Sequence, residues 1–172
     1  MSSDAKWDTK GLDIILKRLK ALEQKSIDYG FFPESRYTKA NNSLQVAQVA
    51  KWQEDGTHKK DGSWHIPPRP FFSSHVLRIH SIGDPVESRF SVYLRSVATA
   101  AFAGQRSMSV QKEMKALGNV LKEGLQQEIL DWGPNPKNAD FTIERKGHGT
   151  VLIETGKMYD SVKAKIRNKG VQ

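Results

Sequence analysis

The sequence predicts an α+β domain: an antiparallel sheet packed against helices, with an extended proline-rich arm. Three observations lead there. Apolar residues recur at helical spacing in four long segments, they alternate with polar ones in two short segments near the two ends, and Pro67, Pro68 and Pro70 crowd one stretch between them. A chain of 172 residues suits one domain, taken as 1–172. With 37% hydrophobic residues and a mean hydropathy of -0.59, that domain is expected to hold a modest core and to gain stability from association.

Leu12, Ile15, Leu16, Leu19 and Leu22 recur every three or four residues, with Lys17, Arg18 and Lys20 on the other face, which predicts an amphipathic helix over 11–25. Its apolar stripe requires a packing partner. Ile27, Tyr29, Phe31 and Phe32 lead up to Pro33, which predicts a short strand over 27–32. Leu44, Val46, Ala47, Val49, Ala50 and Trp52 predict a second helix, with Ser43 as its N-cap and Gly56 as its stop. Residues 54–72 read as an arm or long loop, with a hairpin-type turn at Asp61-Gly62.

Val86, Phe90, Tyr93, Leu94, Val97, Ala98 and Ala101 predict a third helix over 86–103, which Asp84-Pro85 would start. The longest periodic segment, near 108–131, aligns Val110, Met114, Leu117, Leu121, Leu125 and Glu128, and Gly133 to Pro136 ends it. Gly118 and Gly124 interrupt it at about 1 kcal/mol each relative to alanine, so they are read as points of close packing. Ala139 to Lys146 suggests a short helical turn. In 161–167, Val162, Ala164 and Ile166 are expected to face inward and Ser161, Lys163, Lys165 and Arg167 outward, as a strand with one basic face.

The absence of cysteine excludes disulfides, thiolate zinc sites and thiol nucleophiles, and suits a reducing cytosol. The polar stretch Met1 to Lys10 lacks the pattern of a secretory signal. The longest apolar run, Val97 to Ala103 broken by Thr99, is far too short to span a bilayer, so a soluble protein without a membrane partner is expected. His58, His65, His75, His80 and His148 show no metal-ligand spacing, Gly147-His148-Gly149 lacks the context of a phosphate loop, and acidic pairs such as Glu54-Asp55 and Asp140/Glu144 read as solvated faces. No catalytic residue, cofactor or metal is expected.

Two segments stand out as contact surfaces. In Trp64 to Phe72 the prolines hold the backbone extended at low entropic cost, so Trp64, Ile66, Arg69, Phe71 and Phe72 are candidates for a subunit or partner interface, Arg69 meeting a carboxylate or carbonyl and the two phenylalanines acting as anchors. The same stretch reads equally as a wall of the protein's own core. The basic residues Lys163, Lys165 and Arg167, within a net charge of +8, read as a solvated face, a face for an acidic neighbour, or a phosphate contact. No base-reading helix or aromatic platform accompanies them.

In order along the chain come VAKWQEDG (49–56), IPPRPF (66–71), the long helix to Trp132, Pro134 and Pro136, TIERKG (142–147) and LIETG (152–156), followed by Met158, Ser161 and Val162. In that order and spacing the chain resembles, over residues 10–168, the virion-morphogenesis family of tailed bacteriophages, whose neck and tail-completion proteins join head to tail. The link Thr57 to His65 is longer than is usual there. The resemblance implies a single virion-assembly domain and a structural role without catalysis. It also implies a homo-oligomeric ring, commonly a hexamer, around the DNA channel. The partners implied are head-completion or connector proteins, tail tube or terminator proteins, and genomic DNA passing without tight binding; the protein would be assembled in the host cytoplasm and reside in the virion. The competing expectation is a basic nucleic-acid-binding protein.

Overall fold

The computed structural model describes residues 9–39, 42–79, 85–103, 109–133 and 136–169; His80, Asp84, Ser107 and Pro134 lie outside them. The elements run α1 (Lys10–Glu23), β1 (Lys25–Phe31), α2 (Val46–Asp55), β2 (Thr57–His58), β3 (Trp64–Ile66), α3 (Phe71–Arg78), α4 (Pro85–Phe102), α5 (Val110–Asp131), α6 (Asp140–Lys146), α7 (Lys157–Asp160) and β4 (Val162–Asn168). The α+β class, the helices near 11–25, 86–103 and 108–131, and the two terminal strands are as the sequence predicts.

β1 and β4 pair antiparallel across the length of the chain, with Ile27 opposite Ile166, Tyr29 opposite Ala164 and Phe31 opposite Val162. A ribbon of two strands has little stability alone and needs something against one face. That support is α5, a helix about 33 Å long. Ser109 caps its start by accepting the Lys112 amide at 3.1 Å.

Two apolar cores form along α5. Leu125 and Ile129 pack with Val46, Ala50, Phe71, Val151, Leu152, Met158 and Val162. At the other end Val110 and Met114 pack with Tyr93 and Val97 of α4, and Ile15, Leu22, Ile27 and Ile166 close over them. Val162 therefore belongs to one core and Ile166 to the other, so the ribbon spans both.

The α5 glycines mark close contact, as their positions suggest. A Cβ on Gly118 would lie 3.2 Å from the Ala164 Cβ, and one on Gly124 would lie 2.6 Å from Cε1 of the buried His75. Glu128 and Glu113 are also buried on α5, each beside an arginine of a neighbouring helix: Arg78 of α3 at 2.6 Å and Arg89 of α4 at 3.1 Å.

Three local expectations are corrected. Ser43 does not cap α2; Gln45 takes that place, because Ser43 sits at φ 51 in the turn before it. Ser161 is buried rather than outward, because it closes α7 with its amide on the Lys157 and Met158 carbonyls and the strand begins one residue later. The 54–72 arm is a folded segment. It holds the end of α2, the β2–β3 hairpin around Asp61-Gly62, the connecting residues Pro67 to Pro70 and the start of α3.

Gly124→Ala gains helix propensity but drives a methyl into a packed imidazole, and overpacking of this kind costs about 1–3 kcal/mol. The expected result in chemical denaturation is a net loss of about 1 kcal/mol. In a His75→Ala background the same change should become neutral or stabilising, since the obstacle is gone.

Candidate functional site: the groove around Arg69

α2 ends because Gly56 adopts φ 75, where a Cβ would stand 2.7 Å from the Trp64 ring and 2.8 Å from the Ile66 carbonyl. The chain turns there into the hairpin, whose tip is closed by Asp61 accepting from the Ser63 amide and hydroxyl at 2.9 and 2.6 Å. Trp64 stacks on His58 across the two strands with ring centres 3.9 Å apart. Pro67 to Pro70 then carry the backbone past α2, where the Arg69 amide donates to the Gln53 carbonyl at 2.7 Å.

Pro70, at φ -75 and ψ 56, makes an inverse γ-turn in which the Phe71 amide returns to the Arg69 carbonyl at 2.7 Å. α3 starts at once. Its first free amides, those of Phe72 and Ser73, are taken by the Glu54 carboxylate of α2 at 2.8 and 3.0 Å, and the Ser73 hydroxyl donates to it at 2.6 Å. A negative charge here also meets the positive end of the helix dipole.

Arg69 is 4% exposed and is held entirely within the chain. Its guanidinium donates to Gln53 Oε1 at 2.5 Å, the Pro136 carbonyl at 3.3 Å, the Lys137 carbonyl at 3.5 Å and Asn138 Oδ1 at 3.3 Å. All four acceptors are neutral. Burial pulls the guanidinium below its usual range, yet no carboxylate bonds to it among the described residues. Asn138 passes the link on, donating to the Thr150 carbonyl at 3.3 Å.

Around this floor lies a groove of about 710 Å³, walled by α2, β3, α6 and the segment 151–158. Lys146 donates to the Thr150 carbonyl at 2.7 Å, and Arg145 pairs with Glu154 at 2.9 Å. Desolvation, with Arg69 and Arg145 nearby, lowers the Lys146 pKa, while Glu154 opposes the shift. Trp64 is half exposed and Phe141 is 74% exposed at this groove.

The expected interface residues thus separate. Trp64 and Ile66 line the groove. Arg69 and Phe71, read as held out toward a partner, are instead buried in the protein's own fold, because the γ-turn at Pro70 turns the chain inward. Phe72 is half-buried, stacked on Tyr29 with ring centres 5.6 Å apart. Lys163, Lys165 and Arg167 lie on the outer face of the ribbon, but that face is not simply basic. Glu34 lies 2.6 Å from Lys165 and 3.9 Å from Lys163, and Asp28 lies 2.5 Å from Arg167. The Lys165 hydrogen bond is the main reason the Glu34 pKa is lowered. Lys165 also rests over the Phe32 ring, 4.0 Å from its centre.

Glu54, expected with Asp55 on a solvated face, instead caps α3, and Gln53, Lys146 and Asn138 were not expected as site residues. The signal for Gln53 and Glu54 was VAKWQEDG and for Lys146 TIERKG, whereas Asn138 lies in neither motif. Among the described residues no three His, Asp or Glu side chains gather as a metal-binding group, and no helix is long and apolar enough to cross a membrane. No family model, no curated protein and no solved structure matches this chain.

Arg69→Lys cannot reach four oxygens from one ammonium, so it should lower stability by about 2 kcal/mol in denaturant titration, and Arg69→Ala by more. Glu54→Ala should cost about 1–2 kcal/mol through loss of the α3 cap. An Arg69→Lys variant as stable as the parent would show that the guanidinium contacts carry no weight.

Proposed function

We propose that this chain is a structural subunit of a tailed-phage virion, a neck or tail-completion protein that forms a ring with copies of itself around the DNA path and joins head to tail. The observation that carries the reading is spatial. The segments on which the family resemblance rests, 49–56, 66–71, 142–147 and 152–156, are far apart in sequence and meet at one groove, where Gln53, Arg69, Lys146 and Glu154 all contribute to its wall. Segments that form one physical unit account for why such short motifs would keep a common order.

Self-association is supported by α1. Ile15 and Leu22 reach the second core, but Leu12, Leu16 and Leu19, at helical spacing, remain 53%, 46% and 40% exposed. An apolar stripe of this width packs against another helix, and the occupant in this reading is a second copy of the chain.

The nucleic-acid reading draws on the net charge of +8 and on Lys59 and Lys60 at the hairpin. Against it, the ribbon cations are matched by Glu34 and Asp28. In the assembly reading, DNA passes the ring without tight phosphate contacts and the neighbours are head-completion, connector, tail tube or terminator proteins.

Light scattering of the purified chain should give a multiple of 19.4 kDa, and the triple variant Leu12→Ser, Leu16→Ser, Leu19→Ser should be a folded monomer, with a melting temperature lowered by the lost association. A monomeric parent, or absence of the chain from purified particles, defeats the virion-ring reading. In a salt titration the parent should bind duplex DNA weakly near physiological salt. Sub-micromolar affinity that falls steeply with salt and is lost on reversing Lys163 and Lys165 would favour the nucleic-acid reading instead.

A further inference from the structure

The Arg69 groove carries an imbalance of charge that the fold itself does not resolve. Five cations line it, Arg69, Lys137, Arg145, Lys146 and Lys157, against the single carboxylate of Glu154. Glu154 is already engaged by Arg145. Lys137 has only the solvent-exposed Asp140 at 3.3 Å. Arg69 and Lys146, the two least hydrated of the five, bond to neutral oxygens alone.

Charges of one sign held in a partly water-excluded cleft attract an anion more strongly than the same charges on an open surface. The pKa of Lys146 is lowered chiefly by desolvation, and Arg69 and Arg145 add to the shift against the opposing pull of Glu154. A carboxylate placed beside Lys146 would relieve it.

The rest of the groove decides what kind of anion. Ile66, Val151, Leu152 and Met158 contribute apolar wall, and Trp64 and Phe141 stand exposed as aromatic surfaces. Nucleic-acid bases would need open aromatic faces to stack on, and Trp64 is already stacked on His58, whereas an extended peptide offers acidic and apolar side chains within a few residues. We infer that the groove is a docking site for an acidic, extended segment of a partner protein, with Lys146 taking a carboxylate and Trp64 and Phe141 holding the apolar or aromatic residue beside it. This deepens the assembly reading and rests on it only in taking the groove as a contact surface.

The test uses the full chain on an array of ten-residue peptides with a Gly-Ser background. Each carries two Asp or Glu beside Leu, Phe or Trp, and each has an Asn or Gln twin. Fluorescence anisotropy then follows the strongest acidic peptide, its amide twin and a twenty-nucleotide DNA. The acidic peptide should bind with a sub-millimolar dissociation constant, at least tenfold tighter than its twin, and more weakly as salt rises. Lys146→Gln should weaken it at least fivefold. Phe141→Ser should do likewise, and its side chain is too exposed to be needed for folding. Lys115→Gln, on the exposed side of α5, should leave it unchanged.

Equal binding of acid and amide twins, no acidic peptide bound below millimolar concentration, or insensitivity to both groove substitutions would each overturn the proposal. So would tighter binding of the DNA at the same residues. Because self-association and virion content are read separately, a ring that forms normally but ignores acidic peptides would defeat this inference alone.

Discussion

Everything else in the fold depends on α5 lying flat on the β1–β4 ribbon. The two strands come from opposite ends of the chain and, among the described residues, pair with no third strand, so the ribbon persists only while its apolar face is covered. Gly118 sets how closely the helix can approach, with the Ala164 Cβ 3.2 Å from where its own Cβ would be. Once that contact is made, Ile27 and Ile166 are delivered to one core and Phe31 and Val162 to the other. Neither core is large. The long helix couples them, so a defect at one end is felt through the element that organises both.

The second organising feature is the junction between α2 and α3. Gln53 holds Arg69, Glu54 holds the first amides of α3, and Gly56 makes the turn between the two segments possible. Three positions of one short motif thus have three separate mechanical duties. Arg69 is a costly choice for such a position, because a buried guanidinium must have its donors met. Four oxygens meet them, and among the described residues no carboxylate bonds to it. The arginine therefore braces the groove from a buried position in its wall.

The ribbon's outer face behaves differently. Its cations have local carboxylates, Lys165 lies against Phe32, and salt will screen what remains of their field. In the groove, Arg69 is buried and Lys146 half-buried, and both bond to neutral oxygens rather than carboxylates among the described residues, so the sharper electrostatic feature of the molecule is not where the sequence shows the densest run of lysines. The exposed leucines of α1 supply a third kind of surface, apolar and regular, suited to a helix rather than to an ion. A subunit that must meet copies of itself and unlike neighbours has use for chemically distinct faces.

Periodicity by itself determined the α+β class, the three long helices, the two terminal strands and the meaning of Gly118 and Gly124, because spacing of apolar residues follows directly from which face of an element must be buried. The Asp61-Gly62 turn was legible for the same reason: it depends on local backbone preference. What only the tertiary structure decided was the fate of residues 54–72. Three prolines promise extended chain, but at Pro70 ψ is 56 and the chain turns. Whether Arg69 points out or in depends on the turn at Pro70 and on oxygens at positions 53, 136, 137 and 138, which no local pattern brings together. α3 escaped notice because its start is capped by a carboxylate from another helix rather than by its own preceding residue. The basic face of β4 was visible as a pattern, but Glu34 and Asp28 become its partners only through the β1–β4 pairing and the turn that follows β1. Local order follows from neighbours in sequence; charge balance and side-chain direction follow from neighbours in space.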